Sequence, residues 1–453
     1  MTQKNAHPLS ARNQLLDMIE DPNAFDHNEA DLLPLRIEAA NALFQQQRQQ
    51  IPVLERRAQE CGIDEIRSLE DIVPLLFAHT VYKSYPASFV TGKKWDRMLQ
   101  WLNTLCTRDP RGIDLTGVDT IDDFLERLKA NGHSILASTG TTGKNSFLDS
   151  TPEDRARKYR HLRVGMSWPG PIADKSRKVF WAGPAEGFNG SVEIAQMVGE
   201  MWARPGEFHP FKMGPILLSE ATEMAVFAQR MADGEAGPNE IAAFNTRAAD
   251  KAAKGRAAMA EFTEALLASR HEPVVMGGFW AQVMQTIERA RELGIKDGDW
   301  HPDSRISVGG GLKNVVLPDD YKEQVDRFFG NVHRPNGYAM TELAQLLPRC
   351  EALRYHVPPG LIMLLLDDSG ETLTHAKEGV VSGRFGFLDL IYEGRWGGLI
   401  SGDRTEVDFS SHCPCGRRGP TILDTIQRFS LTGDDQISCA GTIDSYVKGA
   451  LAS

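Results

Sequence analysis

The chain has 453 residues and a mass of 50.2 kDa, more than one hydrophobic core usually supports, so we expect two or three packed subdomains. Its hydrophobic content of 41% and charged content of 25% are those of an ordinary globular protein and argue against disorder or a fibrous repeat. The net charge of −11 opposes nonspecific binding to nucleic acid or anionic lipid, and no apolar run is long enough for a membrane helix, so we expect a cytoplasmic protein.

The pattern of apolar residues predicts an α/β protein with four regions. Residues 1–130 are predicted to be mainly helical, because apolar residues recur at helical spacing. The run HSILAST at 133–139 predicts a strand that leads into a loop. Short strand-like runs, including 178–183 and 305–309, alternate with helical stretches and predict an α/β core over 131–359. Closely spaced strands are predicted over 360–430, as a smaller β-rich subdomain before a short tail at 431–453.

A loop rich in glycine and hydroxyl groups follows the first of these strands. Its sequence STGTTGK comprises Ser138, Thr139, Gly140, Thr141, Thr142, Gly143 and Lys144. Backbone amides, hydroxyls and one cation in such a loop can surround phosphate oxygens. The two glycines are too close together for the GxxxxGK[ST] pattern, and a kinase catalytic loop is absent from the sequence, so a kinase is disfavoured. The loop therefore predicts a phosphate-binding site of another class.

Cysteine and histidine residues near the C-terminus predict a metal site. Six cysteines are too few for a disulfide framework in a chain of this length. Three of them, Cys350, Cys413 and Cys415, together with His356 supply three thiols and one imidazole, which satisfy tetrahedral zinc and leave no position for water. We therefore predict a structural zinc site. His412 is an alternative fourth ligand, and thiols without metal are the other interpretation.

The phosphate loop and two later motifs resemble the adenylate-forming superfamily of ligases. STGTTGK is similar to the superfamily's signature [ST]-[ST]-G-[ST]-T-G-x-[PN]-K, which holds the ATP triphosphate, with a different tail at 145–146. NGYAMTE at 336–342 resembles its Y-G-x-T-E motif, with the glycine before the tyrosine. SGD at 401–403 resembles its [ST]-G-D motif. The three motifs occur in the order that the superfamily has.

The resemblance implies that the chain binds ATP and Mg²⁺ through particular residues. Tyr338 would stack on adenine, and the carboxylate of Asp403 would accept hydrogen bonds from both ribose hydroxyls. Thr341 would contact the α-phosphate, and Glu342 would hold magnesium, a hard cation that prefers carboxylate oxygens. Lys144 would neutralise charge on the phosphates during the reaction.

Further segments narrow the resemblance to one branch of the superfamily. SVGGGLK at 307–313 resembles luminescence-type acyl-protein synthetases, and CPCGR at 413–417 is similar to a segment of phenylacetate-CoA ligases. The glycines of the first segment would let the backbone approach the nucleotide closely; they are Gly309, Gly310 and Gly311.

The C-terminal stretch LTGDD at 431–435 resembles the superfamily's hinge, L-G-R-x-D-D. Gly433 stands where a basic residue is usual, and Arg428 is a candidate substitute. Since little sequence follows this hinge, we expect the mobile C-terminal domain of these ligases to be largely absent. Its lysine would be replaced by Lys144, Lys313 or Arg404.

The implied function is ATP- and magnesium-dependent activation of a carboxylic acid to an acyl-adenylate. The acyl group would then pass to a thiol or amine acceptor: coenzyme A, a carrier protein or an acyltransferase partner. Two alternatives remain. Cys439 could carry the acyl group, as in the acyl-protein synthetases, or the chain could be a non-catalytic ATP-binding partner of another ligase.

Overall fold

The computed structural model describes residues 10–138, 144–310, 316–376, 378–429 and 437. The protein has the mixed α/β fold that the sequence predicts. Contacts divide the chain into two compact units. The first unit takes residues 1–169 and 337–453, and the second unit takes residues 170–336. The region boundaries predicted at 130, 359 and 430 stay a prediction. Among the described residues, no helix combines the length and apolar character that a membrane crossing requires.

The N-terminal part of the first unit is mainly helical, as the apolar spacing predicts. Several of its helices begin at a side chain that accepts a hydrogen bond from a free backbone N–H, among them Asn28, Thr120 and Thr151. The helices are α1 Ala11–Asp17, α2 Glu29–Gln47, α3 Pro52–Cys61, α4 Leu69–Ile72, α5 Ala87–Thr91, α6 Trp95–Asn103, α7 Ile121–Ala130 and α8 Pro152–Ser167, with 3₁₀ turns at Met18–Glu20, Val73–Leu75 and Val81–Lys83.

A short hairpin interrupts these helices. The strands of this part are β1 Phe77–Ala78, β2 Leu136–Ser138 and β3 Ser146–Leu148. β2 is the strand predicted before the phosphate loop, and it pairs antiparallel with β3, so that Ser138 lies opposite Ser146. Beyond the open end of the hairpin, Ser134 and Ser150 exchange two backbone hydrogen bonds of 2.9 and 3.1 Å. The phosphate-loop motif therefore connects two paired strands.

The second unit is a parallel sheet with helical crossovers. Its elements are β4 Arg177–Ala182, α9 Gly190–Trp202, β5 Ala203–Pro210, α10 Leu218–Ala232, α11 Pro238–Ala268, β6 Val274–Phe279, α12 Trp280–Glu292, β7 Arg305–Gly309 and α13 Tyr321–Phe329. The strand order is β5-β4-β6-β7, and each neighbouring pair is parallel. Strands β4 and β7 confirm the runs predicted at 178–183 and 305–309. Apolar side chains from β4, β6 and helices α11 to α13 form a buried core, as expected for parallel strands connected by helices.

The C-terminal part of the first unit is rich in strands, as predicted. These are β8 Gly337–Tyr338, β9 Leu347–Pro348, β10 Arg354–His356, β11 Leu361–Leu366, β12 Val380–Asp389, β13 Gly398–Asp408, β14 Thr421–Leu423 and β15 Gln427–Arg428. Antiparallel pairing gives the order β10-β14-β13-β12-β11. Strand β13 also pairs in parallel with β1 and antiparallel with β15.

Buried ionisable side chains attach the N-terminal helices to connections between the C-terminal strands within the first unit. The Asp154 carboxylate, in the first turn of α8, accepts hydrogen bonds from the backbone N–H groups of Glu393 and Gly394 at 2.7 and 2.9 Å. Arg36 of α2 donates to the carbonyl oxygens of Pro358 and Pro359 at 3.1 Å each. Each group satisfies backbone atoms more than 200 residues away in sequence, so these contacts join distant parts of the chain.

We predict that Asp154→Ala lowers the free energy of unfolding of the first unit by at least about 3 kcal/mol, because three backbone donors lose a charged acceptor. Urea denaturation followed by circular dichroism measures the change. The control is Glu153→Gln in the same helical turn, whose side chain is 59% exposed and which should change stability by less than about 0.5 kcal/mol. Equal effects of the two substitutions would contradict the role given to Asp154.

Candidate functional site

Three residues predicted to bind ATP lie in one hydrogen-bonded group, which we call the Asp403 cluster: Tyr338, Asp403 and Arg428. The Tyr338 hydroxyl donates to Oδ2 of Asp403 at 2.6 Å, and Nε of Arg428 lies 2.8 Å from Oδ1. The backbone N–H of Asp403 donates to the Ser401 hydroxyl at 3.1 Å. Both oxygens of the carboxylate therefore have a partner, and each can accept a further hydrogen bond from a ligand.

Sheet register brings these residues together. Asp403 lies opposite Arg428 where β13 pairs with β15. The pairing of β13 with β12 shifts register between Arg384 and Gly386, opposite residues 401–403, so the SGD motif lies at a β-bulge. Bulges re-aim side chains and are common beside functional sites. The β-bulge thus sets the direction of the Ser401 and Asp403 side chains in an otherwise regular strand.

The Asp403 cluster combines a buried interior with an exposed edge. Tyr338 is 8% exposed and Asp403 3%, whereas the Arg428 side chain is 60% exposed. Burial, followed by the negative charge of Asp403, raises the pKa of Tyr338 well above its usual value. The tyrosine therefore remains a protonated donor at every physiological pH.

Two buried residues that the motifs did not reveal hold the turn containing Thr341 and Glu342. Arg395 donates to the carbonyl oxygen of Glu342 at 2.6 Å. The Asp389 carboxylate accepts hydrogen bonds from the backbone N–H of Ala344 at 2.7 Å and from the side-chain amide of Gln345 at 2.9 Å. The side chains of Thr341 and Glu342 are themselves half-buried. In the sequence, the only sign of this role is that charged residues, among them Asp389 and Arg395, interrupt the apolar stretch 385–400.

At the phosphate-loop motif, the structure describes Ser138 and Lys144. Ser138 ends β2 and is half-buried. The Lys144 ammonium lies 4.4 Å from the ring centroid of Tyr85, whose hydroxyl donates to the carbonyl oxygen of Asn145 at 2.9 Å. Such a cation–π contact places the positive charge beside an aromatic face. The rest of the motif lies outside the described residues: Thr139, Gly140, Thr141, Thr142 and Gly143.

The glycine segment belongs to the second unit. Gly309 ends β7, and Gly310 follows with a φ of 84°, a left-handed conformation that favours glycine. A Cβ atom at Gly310 would lie 2.6 Å from Cδ1 of Phe279, so packing inside this unit already requires glycine there. Gly311 and Lys313 lie outside the described residues, as does Cys439 near the C-terminus.

The predicted metal ligands lie close together, and we call them the Cys3His cluster: Cys350, His356, Cys413 and Cys415. One ligand atom from each lies within 4.8 Å of the others, an arrangement that could hold a metal ion. Cys350 Sγ lies 3.7 Å from Cys413 Sγ, and Cys415 Sγ lies 3.5 Å from His356 Nε2.

Local turns shape the Cys3His cluster. The backbone N–H of Cys350 donates to the Arg354 carbonyl at 2.9 Å, and that of Cys413 donates to the Arg417 carbonyl at 2.7 Å. β10 then supplies His356, where burial lowers the imidazole pKa to about 4, so the ring is neutral, the form that binds metals. His412, the alternative ligand, is exposed and outside this group.

Comparison with solved structures identifies the architecture. The thioesterification state of 2-hydroxyisobutyryl-CoA ligase, in complex with 2-HIB-AMP and CoA, matches with a TM-score of 0.55 and 14% identity over 95% of this chain and 74% of that chain. An open conformation of the same ligase matches with a TM-score of 0.52 and 12% identity over 94% and 80%. The chain has the fold of this ligase.

The postadenylation state of the ligase with 2-HIB-AMP is also similar, with a TM-score of 0.51, 13% identity and coverage of 94% of this chain and 73% of that chain. No protein-family profile and no curated protein sequence matches the chain. The likeness to the ligase is therefore one of fold.

We predict that Tyr338→Phe destabilises the first unit by about 2 kcal/mol, because it leaves a buried oxygen of Asp403 without its donor. The matched control is Tyr355→Phe. Tyr355 is also buried and also donates to a carboxylate, but its partner Asp424 is 42% exposed and can be hydrated instead. Urea denaturation should show the smaller loss for the control. Equal losses would contradict a buried, donor-dependent carboxylate at Asp403.

Proposed function

We propose that this protein uses ATP and Mg²⁺ to convert a carboxylic acid to an acyl-adenylate and then transfers the acyl group to a thiol or amine. The observation that carries the proposal is the Asp403 cluster. It joins the residues of two separate motifs, Tyr338 and Asp403, at the 2.6 Å distance of a hydrogen bond across 65 positions of sequence. The ligase fold supports the same conclusion, since the compared ligase was solved with the acyl-adenylate 2-HIB-AMP.

In this proposal the ribose hydroxyls donate to the carboxylate of Asp403. Arg428 and the Tyr338 hydroxyl hold that carboxylate in one orientation before the nucleotide arrives, so little ordering is needed at binding. The ring of Tyr338 provides the adenine-stacking surface. These residues would fix the nucleoside, and the reacting phosphate would then be positioned relative to it.

The phosphates would contact the loop from Ser138 to Lys144 and the turn that contains Thr341. The Lys144 ammonium and the Thr341 hydroxyl supply a cation and a donor for charge that develops on the α-phosphate when the substrate carboxylate attacks it. That carboxylate is already ionised, so its attack requires no general base. Pyrophosphate leaves as the acyl–phosphate bond forms.

The carboxylate of Glu342 fits a magnesium ion. It is half-buried, and within the described part of the chain no hydrogen bond or ion pair engages it. Carboxylate oxygens are the ligands that a hard cation prefers. Bound magnesium would neutralise charge on the phosphates. Arg395 is a positioning residue in this proposal, because it holds the backbone carbonyl of Glu342.

The acyl acceptor is most simply a thiol. The compared ligase binds CoA in two of its solved states, which supports coenzyme A or a carrier-protein thiol for this chain. An amine acceptor, acyl transfer through Cys439 and a role as a non-catalytic partner of another ligase stay open alternatives, and Cys439 lies outside the described residues.

Exchange of labelled pyrophosphate into ATP, measured with a panel of aryl, fatty and short hydroxy acids, tests adenylation directly. We expect acid-dependent exchange with at least one class of acid. Asp403→Asn should lower kcat/KM for ATP by about 30-fold or more, since a charged acceptor of two ribose hydrogen bonds is lost. The control is Asp408→Asn on the same strand, where the carboxylate accepts a hydrogen bond from the backbone N–H of Ser410, and it should leave exchange unchanged. ATP binding without exchange for any acid would overturn the enzymatic proposal.

We further propose that the Cys3His cluster binds a structural zinc ion. Three thiols and a neutral imidazole within 4.8 Å of one another are the donor set and number that tetrahedral zinc requires. Four protein ligands leave no open position for water, so this ion would stabilise the strands around β10 and β14 rather than take part in the reaction.

Cys413→Ser should lower the bound zinc by one equivalent per chain relative to the unmodified protein, and the first unit should lose several kcal/mol of stability. Plasma emission spectrometry measures the zinc, and thermal unfolding measures the stability. Cys61→Ser, in a half-buried position at the end of α3, is the control and should retain all of the metal. An unchanged zinc content in Cys413→Ser would contradict a zinc site at this cluster.

A further inference from the structure

A second group of buried potential metal ligands lies in the first unit, apart from both clusters described above. Cys106, His133 and Asp149 each offer one ligand atom, and these atoms lie within 4.8 Å of one another. We call this group the Cys-His-Asp cluster. All three side chains are buried, with exposures of 2%, 4% and 5%. A thiol, an imidazole and a carboxylate seldom share one buried position without a chemical reason.

The hydrogen bonds of the Cys-His-Asp cluster are incomplete. Nδ1 of His133 lies 2.8 Å from Oδ2 of Asp149, and the Cys106 thiol donates to the Arg108 carbonyl at 3.0 Å. The other carboxylate oxygen, Oδ1 of Asp149, is buried and has no hydrogen-bond partner among the described residues. Buried polar atoms in folded proteins nearly always have a partner, and an unpartnered carboxylate oxygen commonly indicates an absent ion or water.

We propose that Cys106, His133 and Asp149 form a binding site for a second transition-metal ion, with zinc as the ion that fits best. Sulfur and imidazole donors disfavour magnesium and calcium, which take oxygen ligands, and zinc accepts sulfur, nitrogen and oxygen together. Binding would form one bond to each residue. The thiol proton of Cys106 would pass to solvent, and the proton of the His133 Nδ1–Asp149 hydrogen bond would move to Nε2 of the same ring, so that Nδ1 can bind the ion. Three protein ligands leave one tetrahedral position for water or a small anionic ligand.

Only small movements are needed to fill the site. Ligand atoms bonded to one zinc ion at about 2.0 to 2.3 Å lie roughly 3.3 to 3.7 Å apart in a tetrahedral arrangement. The His133–Asp149 pair, at 2.8 Å, would open slightly, and the thiol of Cys106 would turn from the Arg108 carbonyl towards the ion.

The position of this cluster gives the metal a structural consequence. His133 and Asp149 flank the open end of the β2–β3 hairpin, beside the backbone pair of Ser134 and Ser150. Cys106 forms a β-bridge with Arg395, the residue that holds the Glu342 carbonyl. A metal ion here would therefore fasten the base of the hairpin to the segment that carries Arg395.

Metal stoichiometry of the 453-residue chain tests the site without reference to catalysis. After removal of metal by a chelator, the protein is titrated with Co²⁺, and thiolate-to-cobalt charge-transfer absorption is recorded. We expect Cys106→Ala to bind one equivalent less than the unmodified protein and to lose about a quarter of the charge-transfer intensity, because one of four metal-bound thiolates is removed. Cys61→Ala, a cysteine outside both groups, should retain both values.

Asp149→Asn provides a second variant if Cys106→Ala does not fold, and it should also bind one equivalent less. X-ray absorption at the zinc edge needs no variant. With both sites filled, the average is two sulfur ligands per zinc, whereas the Cys3His cluster alone gives three. Three sulfur ligands per zinc, or full stoichiometry in both variants, would overturn the proposal.

Discussion

Strand β13 pairs with β1, β12, β14 and β15, and this pairing determines where the Asp403 cluster lies. The strand's register against β15 sets Arg428 opposite Asp403, and its bulge against β12 falls at the SGD motif. Parallel pairing with β1 attaches the helical N-terminal part to the same strand. A one-residue slip of β13 would turn the carboxylate to the other face of the sheet and separate it from both of its partners.

Buried charges have a second structural role in the first unit. Arg36, Asp154, Asp389 and Arg395 are each buried, and each bonds to backbone atoms of a distant segment. A hydrogen bond to a charged group is stronger than a neutral one, and in a buried position it is also directional. The segments fixed in this way include the turn with Glu342 and the loop at Glu393 and Gly394. These buried charged side chains hold irregular backbone near the candidate site in a fixed position, which an apolar core alone does not do.

The sequence predicted much of this arrangement, because its strongest signals are local. Strand β2, the parallel-sheet strands β4 and β7 and the β-rich C-terminal part all follow from short apolar runs. The Cys3His ligands could be chosen from residue chemistry and spacing. The antiparallel strand β3 could not be predicted, since Ser146–Leu148 is too short to show the alternation of apolar and polar residues that indicates a strand. Contacts between distant residues, such as Arg395 with Glu342, leave no pattern at all. Cys106, His133 and Asp149 were missed for the same reason, as they belong to no motif and meet only through the fold.

The β2–β3 hairpin has a consequence for conformational entropy. Its pairing fixes Ser138 and Ser146 opposite each other, so the ends of the intervening segment are already held together whatever path that segment takes. The cost of closing a loop grows only slowly with its length once the ends are joined. Related chains could therefore vary the number of residues between these strands with only a small loss of conformational entropy. If the strand pairing were lost, the entropy of bringing the two ends together would have to be lost when the ligand binds. Selection should thus act on the hairpin's paired ends more strictly than on the length of the loop.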